Sequence, residues 1–270
     1  MTIYLDRKIN DQAVTWYAIV CYYRGMQEEV YRLGSQNNIE PLYLDTVLSS
    51  LLAESPLVIQ LKPDLSLASH LPKSKMLLLA APAKLSFQEV IDDLRLKLII
   101  RFSGDQQGLF HYYSPSVYSY FLNALSTQDT DNWLGLFMTA KFYCQKFRQH
   151  AQWQASPISE SKASSNIWSI TPSQEVALTQ MVEDKAVDNW RKFEKLSKVN
   201  WSQQHAVSQF CAQHHIEDEQ RTFFVRNIFH KWDVSPDILN FNPHVIINLP
   251  QEEKITQLES TLARNTDYGR

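Results

Sequence analysis

The chain has 270 residues, with 26 Lys and Arg against 29 Asp and Glu and a formal net charge of −3. That balance excludes a dedicated nucleic-acid binder, which needs a strong basic footprint, and gives no attraction to an anionic membrane surface. At 44% hydrophobic and 12% aromatic residues, the chain can fill a sizeable core, so wholesale disorder is excluded too, and its length suits one large domain or two smaller lobes.

The N-terminal "MTIYLDRKIND" is charged and lacks an apolar stretch, so no secretory signal is expected there. "TWYAIVCYY" from Thr15 is β-branched and aromatic and reads as a buried strand. "DTVLSSLLAE" is apolar at 47, 48, 51 and 52 and reads as a helix. "PLVIQL" and "MLLLAA" are short apolar runs bounded by Pro and charge, which predicts two more buried strands. "MLLLAAPA", the longest apolar run, is far shorter than the roughly 18 residues of a membrane helix.

"SFQEVIDDLRLKLIIRF" carries the clearest local grammar. Ser86 and Glu89 have capping-box spacing, and apolar residues at 87, 90, 91, 94 and 98 keep the helical period. Asp92 and Asp93 are expected on the solvated face. "LIIRF", "SGDQQG" and "LFHYY" then predict a strand, a turn with Gly104 and Gly108, and a returning strand. Ser114 is placed to cap a new helix with Pro115 at its first position, where the missing N–H costs nothing. Val117, Phe121 and Leu125 share one side of that helix, so the aromatic run "GLFHYYSPSVYSYFL" reads mostly as core around a strand-to-helix corner.

"NWLGLFMTAKFYCQKF" fits a strand or a helix, and the Ser-rich "ASPISESKASSN" reads as an exposed hairpin tip or linker. From "TPSQ", a second capping box, the chain becomes helical. Helices are predicted to about Val199 with a stripe at 178, 182, 186, 190, 193 and 196, near 203–215, near 217–232, and over "PQEEKITQLESTLARN", with 255, 258 and 262 aligned. "SPDIL" reads as a short capped turn. The fold class expected is α+β: an N-terminal α/β lobe with a mixed sheet, residues 1–170, followed by an all-helical C-terminal lobe, residues 171–270.

Chemistry is sparse. Six glycines leave no Gly-rich phosphate loop and no GxSxG, and neither HExxH nor DxDxDG occurs. Cys21, Cys144 and Cys211 are far apart, which predicts buried free thiols in a reducing cytoplasm. His205, His214 and His215 lack ligand spacing with a Cys or an acid, so no metal is expected. His111 and Ser114 lie close in sequence, with no orienting acid nearby. Tyr112, Tyr113, Tyr118 and Tyr120 supply rings for base stacking, but His111 is the sole basic candidate between Arg101 and Lys141. No cofactor is expected.

At the corner, "VIDDLRLKLIIRFSGDQQGLFHYYSPSVYSYFL" resembles the cytoplasmic adaptor-chaperones of bacterial type VI secretion. In that family a leucine-rich helix and short hairpin precede an aromatic-rich strand, and Asp-Pro-Arg-like residues open the next helix. "WYAIVCYY", "SPLVIQL", "MLLLAAPA" and "ITPSQEVALTQM" are similar to its first three strands and to the opening of its helical lobe. The chain departs from the pattern with His111 in place of Arg, Ser114 in place of Asp and Ser116 in place of Arg. Ser114 can still cap a helix, while any Arg–Asp electrostatics of the family are absent.

The resemblance implies a cytoplasmic adaptor without turnover. It would bind a type VI effector, by the effector's N-terminal region, and help load it onto the VgrG spike, with neither nucleic acid nor stable membrane association. Such a protein needs rings in excess of what its core absorbs. The candidates are Tyr112, Tyr113, Tyr118, Phe223, Phe224 and Trp232, with Ser114 and Pro115 forming the structural corner. The alternatives are a hydrolase or transferase with a concealed site, recognisable by a deep pocket with convergent polar groups, and a general interaction scaffold.

Overall fold

The computed structural model describes residues 4–34, 36–62, 66–144, 146–147, 151–160, 162, 167–216, 218–236 and 251–267. The chain forms two compact units, Met1–Met181 and Val182–Arg270. The class is α+β.

The first unit contains β1 (Lys8–Ile9), β2 (Gln12–Val20), α1 (Met26–Leu33), β3 (Ile39–Pro41), β4 (Leu57–Gln60), α2 (Ser66–His70) and β5 (Met76–Pro82). It continues with α3 (Phe87–Leu96), β6 (Ile99–Arg101), β7 (Gln107–Leu109), α4 (Pro115–Phe121), α5 (Thr127–Leu134), β8 (Thr139–Cys144) and β9 (Gln152–Ala155). The main sheet runs β3-β4-β2-β5-β8-β9, with β1 added beside β2; β6 and β7 form a separate hairpin. Every strand pairing is antiparallel, so the mixed sheet expected from sequence is corrected. The one parallel pairing among the described residues is an isolated bridge, Arg101 to Ser169.

The sheet is covered on both faces, which explains the unbroken apolar runs in its central strands. Side chains alternate across a strand. Tyr17, Ile19, Leu77, Leu79 and Phe142 enter one core with α3, α4 and α5. Trp16, Ala18, Val20, Leu78 and Ala80 enter a second core with Met26 and Val30 of α1. Cys21, Cys144 and Cys211 are buried free thiols.

The α3 capping box is complete: Ser86 Oγ accepts from the Glu89 N–H and the Glu89 carboxylate accepts from the Ser86 N–H. Ser86→Ala is expected to cost roughly 0.5–2 kcal/mol, measured by urea unfolding; an unchanged midpoint would show that this cap contributes nothing.

Asp93 is not on a solvated face. It is buried and ion-paired with Lys97, itself buried, while Asp92 is exposed. The predicted returning strand ends at Leu109, and a turn closed by the Ser114 N–H on the His111 carbonyl follows, because Phe110, Tyr112 and Tyr113 pack inward from several directions instead of alternating across a ladder. Gly104 has the left-handed backbone of a turn (φ 77°), whereas Gly108 lies in β7, where an added Cβ would meet the Phe102 ring at 3.0 Å. The ambiguous segment divides into the end of α5, Gly135 at φ 61°, and β8.

The second unit contains the later part of α6 (Pro172–Phe193), then α7 (Trp201–Gln213), α8 (Glu219–Trp232) and α9 (Gln251–Asp267). The expected boundary at 170/171 marks the start of α6; the compact units divide within that helix. Its first turn has the reciprocal Thr171–Gln174 bonds of a capping box. Helix α6 ends at Phe193, short of the predicted Val199, and the predicted stripe is displaced. Val182 and Phe193 are exposed and Trp190 is buried as expected, while Asp184, Val187 and Asp188, off the predicted stripe, are buried too. The buried acids are paired, Asp184 with His205 at 2.7 Å and Asp188 with Arg191 and Lys192, each also at 2.7 Å. A pattern of apolar residues alone misses such a face. Val207, Phe210, Cys211, Val225, Ile228, Phe229, Leu258 and Leu262 form this unit's core. The side chain at 255, most of "SPDIL" and part of the Ser-rich segment lie outside the described residues.

Candidate partner-docking surface

The aromatic corner positions a loop where the sequence predicts a helix. Phe110, Tyr112, Phe121, Trp133 and Trp168 pack edge to face, with Trp133 4.8 Å from Phe121, 5.6 Å from Phe110 and 5.4 Å from Trp168. Tyr112 is buried and its hydroxyl donates to the Leu94 carbonyl at 2.9 Å. Tyr118 is buried against Phe142, 5.0 Å between ring centroids. Tyr113 is buried too, and its hydroxyl pairs with the Tyr43 hydroxyl and with His111 Nδ1 at 2.7 Å.

Tyr112, Tyr113 and Tyr118, expected as partner-binding rings, therefore form core in this structure. A tyrosine buries its ring when its hydroxyl finds a partner inside, as two of these do. Pro115 opens α4 as expected. The Ser114 hydroxyl turns to Ser116 Oγ at 2.9 Å, and the Ser114 carbonyl accepts from the Tyr118 N–H. His111 thus bonds to Tyr113, and the Ser114 hydroxyl to Ser116. Burial holds the His111 pKa below the usual imidazole value and raises that of Tyr113.

Tyr43 connects this corner to the surface. The Leu42 N–H donates to the Pro56 carbonyl at 2.8 Å and the Tyr43 N–H to Ser55 Oγ at 2.9 Å, closing the neck of a loop between them. Arg95 clamps the same neck, donating to the Leu42 carbonyl at 3.3 Å and pairing with Glu40 at 2.6 Å. Inside the neck, Thr46 Oγ1 donates to the Tyr43 carbonyl and successive 3₁₀ turns run through Ser49–Glu54, broken at Leu51. A loop with close ends and internal bonds of this kind is a stable surface projection.

Its tip is apolar. Val47 is 84% exposed, Leu51 45% and Leu52 36%, while Leu48 reaches back to the core. Burying one such side chain against a partner is worth about 1.5–3 kcal/mol. A single α-helix does not form here: Val47 and Leu48 lie in turns before the 3₁₀ segment Ser49–Glu54, which is itself broken at Leu51. The signal available was the Ser49–Ser50 pair inside the run and the prolines at 41 and 56 bounding it.

The second unit has an apolar surface of its own. Phe193 is 72% exposed and lies 5.7 Å from the half-buried Phe223, and Phe224 is 45% exposed. Trp232 is half-buried and packs on the helical core. Of the six partner-binding rings expected, Phe223 and Phe224 are thus the two at such a surface.

A cleft of about 420 Å³ opens in the first unit between Arg7, Thr15, Asn37 and Gln60. Its carboxamides are engaged with the wall: Asn38 donates to Gln60 at 2.7 Å, and the Lys62 N–H to Asn37 at 3.2 Å. Its sole acid, Asp6, pairs with Lys141 at 3.2 Å, and no His or Cys lines it. Among the described residues, no group of three or more His, Cys, Asp or Glu is placed to hold a metal, and no helix is long and apolar enough to cross a membrane.

No curated protein and no solved structure matches the chain significantly. Residues 16–132, from Trp16 in β2 to Asn132 in α5, match the model of a family described as a domain of unknown function, DUF4123, and this span holds the exposed loop and the Phe110–Phe121 part of the aromatic corner, ending just before Trp133.

Proposed function

We propose that this protein is an adaptor-chaperone of bacterial type VI secretion. It holds an effector polypeptide in the cytoplasm, by the effector's N-terminal region, and helps load it onto the VgrG spike without breaking a covalent bond. The observation that carries this reading is the apolar loop tip, Val47, Leu51 and Leu52, exposed on a neck that hydrogen bonds hold firm. A greasy projection costs solubility unless another chain covers it. The resemblance of Val90 to Leu122 to the type VI adaptors, inside the span of the family match, supports the same reading. Phe193, Phe223 and Phe224 offer a second contact surface for an assembly of more than two proteins.

The test is co-expression with the proteins encoded beside it. The wild-type chain is expected to raise the soluble yield of one of them several-fold and to co-purify with it. The double variant Val47→Asp, Leu51→Asp is expected to keep the wild-type melting temperature, since both side chains face water, and to lose at least roughly tenfold in affinity. A neighbour equally soluble and equally secreted without this chain would refute the proposal.

A further inference from the structure

The loop tip is acidic as well as apolar. Between Arg32 and Lys62 the sequence has no Lys or Arg, while it carries Glu40, Asp45 and Glu54. Glu40 is neutralised by Arg95, whose side chain is largely buried beneath the neck. Asp45 and Glu54 are exposed, flank Val47, Leu51 and Leu52 at either end, and form no ion pair among the described residues. Two uncompensated carboxylates thus border an apolar tip that has no cation beside it in sequence.

We propose that the tip takes a basic amphipathic segment of the partner polypeptide, whose apolar side chains cover Val47, Leu51 and Leu52 while its Lys or Arg residues meet Asp45 and Glu54. This rests on the tip being the docking surface. Rim charges of this kind select among partners and speed encounter more than they add affinity, and they reject acidic segments by leaving like charges face to face. An amphipathic helix supplies both components, because apolar residues three and four apart share one face and flanking cations border it.

The probes are two fluorescent synthetic peptides with one apolar helical stripe, one carrying Lys at every polar position and the other Glu. Binding to the full chain is read by anisotropy at low salt. The Lys peptide is expected to bind at least roughly tenfold more tightly than the Glu peptide, and more weakly as salt shortens the Debye length. Asp45→Lys with Glu54→Lys reverses the order, and Val47→Asp with Leu51→Asp abolishes binding of both. Equal binding, preference for the Glu peptide, or no binding of either overturns the proposal. So does self-association of the chain that Val47→Asp, Leu51→Asp abolishes, which would make a second copy the occupant. Capture of the native partner separates the two ideas. If Val47→Asp, Leu51→Asp loses the partner while Asp45→Lys, Glu54→Lys retains it, the charge inference falls and the docking surface stands. If neither pair of changes affects capture, the docking surface itself falls.

Discussion

Lys97→Met is expected to destabilise the first unit by about 3–5 kcal/mol at neutral pH, the cost of leaving a buried charge without its partner. Asp93 and Lys97 lie one turn apart on α3 and its C-terminal flank, both buried, with the ammonium 5.6 Å from the Phe137 ring centroid. The pair holds the turn into β8: Asp93 also accepts from the Leu136 N–H. A Cβ at Gly135 would lie 3.1 Å from Asp93 Oδ1 and 3.2 Å from Lys97 Nζ. Burial raises the Asp93 pKa against the pull of Lys97, and burial lowers that of Lys97 against the pull of Asp93. Without Lys97 the Asp93 pKa moves further up, above its unfolded value. The folded variant then binds more protons than the unfolded chain, so its stability rises as pH falls toward the unfolded carboxylate value near 4. Urea unfolding at pH 7.5 and 5.0 should therefore show the deficit of Lys97→Met narrowing at the lower pH. The double variant Asp93→Asn, Lys97→Met removes both charges but keeps an acceptor for the Leu136 N–H, and should recover most of the loss. A double variant no more stable than Lys97→Met would contradict the argument.

Trp133→Ala is expected to cost a further about 3–5 kcal/mol, within the range for truncating a large buried aromatic. Trp133 is 2% exposed and touches four other rings: Phe110, Tyr112, Phe121 and Trp168. Edge-to-face contacts add about 0.5–1.5 kcal/mol each beyond area burial, and removing the indole opens a cavity that four rigid neighbours cannot easily fill. Trp133→Phe keeps part of the contact and should lose clearly less. Both variants report on the corner that holds Tyr113, hence on the Tyr43 anchor of the exposed loop. Near-ultraviolet circular dichroism and thermal melting would measure the effect. A Trp133→Ala variant as stable as the wild type would show that the ring cluster does not support this corner.

The readings that held rest on local rules with few competitors. Ser86 with Glu89 gave a cap because both partners of the reciprocal bond lie three residues apart in sequence. Pro115 marked the start of α4 because proline fits a first turn better than most places. The central strands were legible because both faces of the sheet are covered, so β5 and the Trp16–Val20 part of β2 are apolar throughout. Strand direction was not legible: an unbroken apolar run suits parallel and antiparallel neighbours alike, and the connections alone do not distinguish them. The Asp93–Lys97 and Asp184–His205 pairs were missed because a charged residue signals solvent until its partner is known. The exposed loop was missed for the converse reason. Apolar residues at 47, 48, 51 and 52 fit one helix in the sequence, but 47 and 48 lie in turns ahead of a broken 3₁₀ segment, and Val47, Leu51 and Leu52 are exposed.

Whether those three side chains touch another polypeptide can be read in living cells. A photo-activated cross-linking residue at position 47 or 51, with a matched control at the exposed Lys84, would be illuminated in the native bacterium during secretion. The account predicts a covalent adduct to one defined effector from 47 and 51 and none from 84. Undiminished secretion with no adduct at either loop position, or equal adducts at all three, would contradict it.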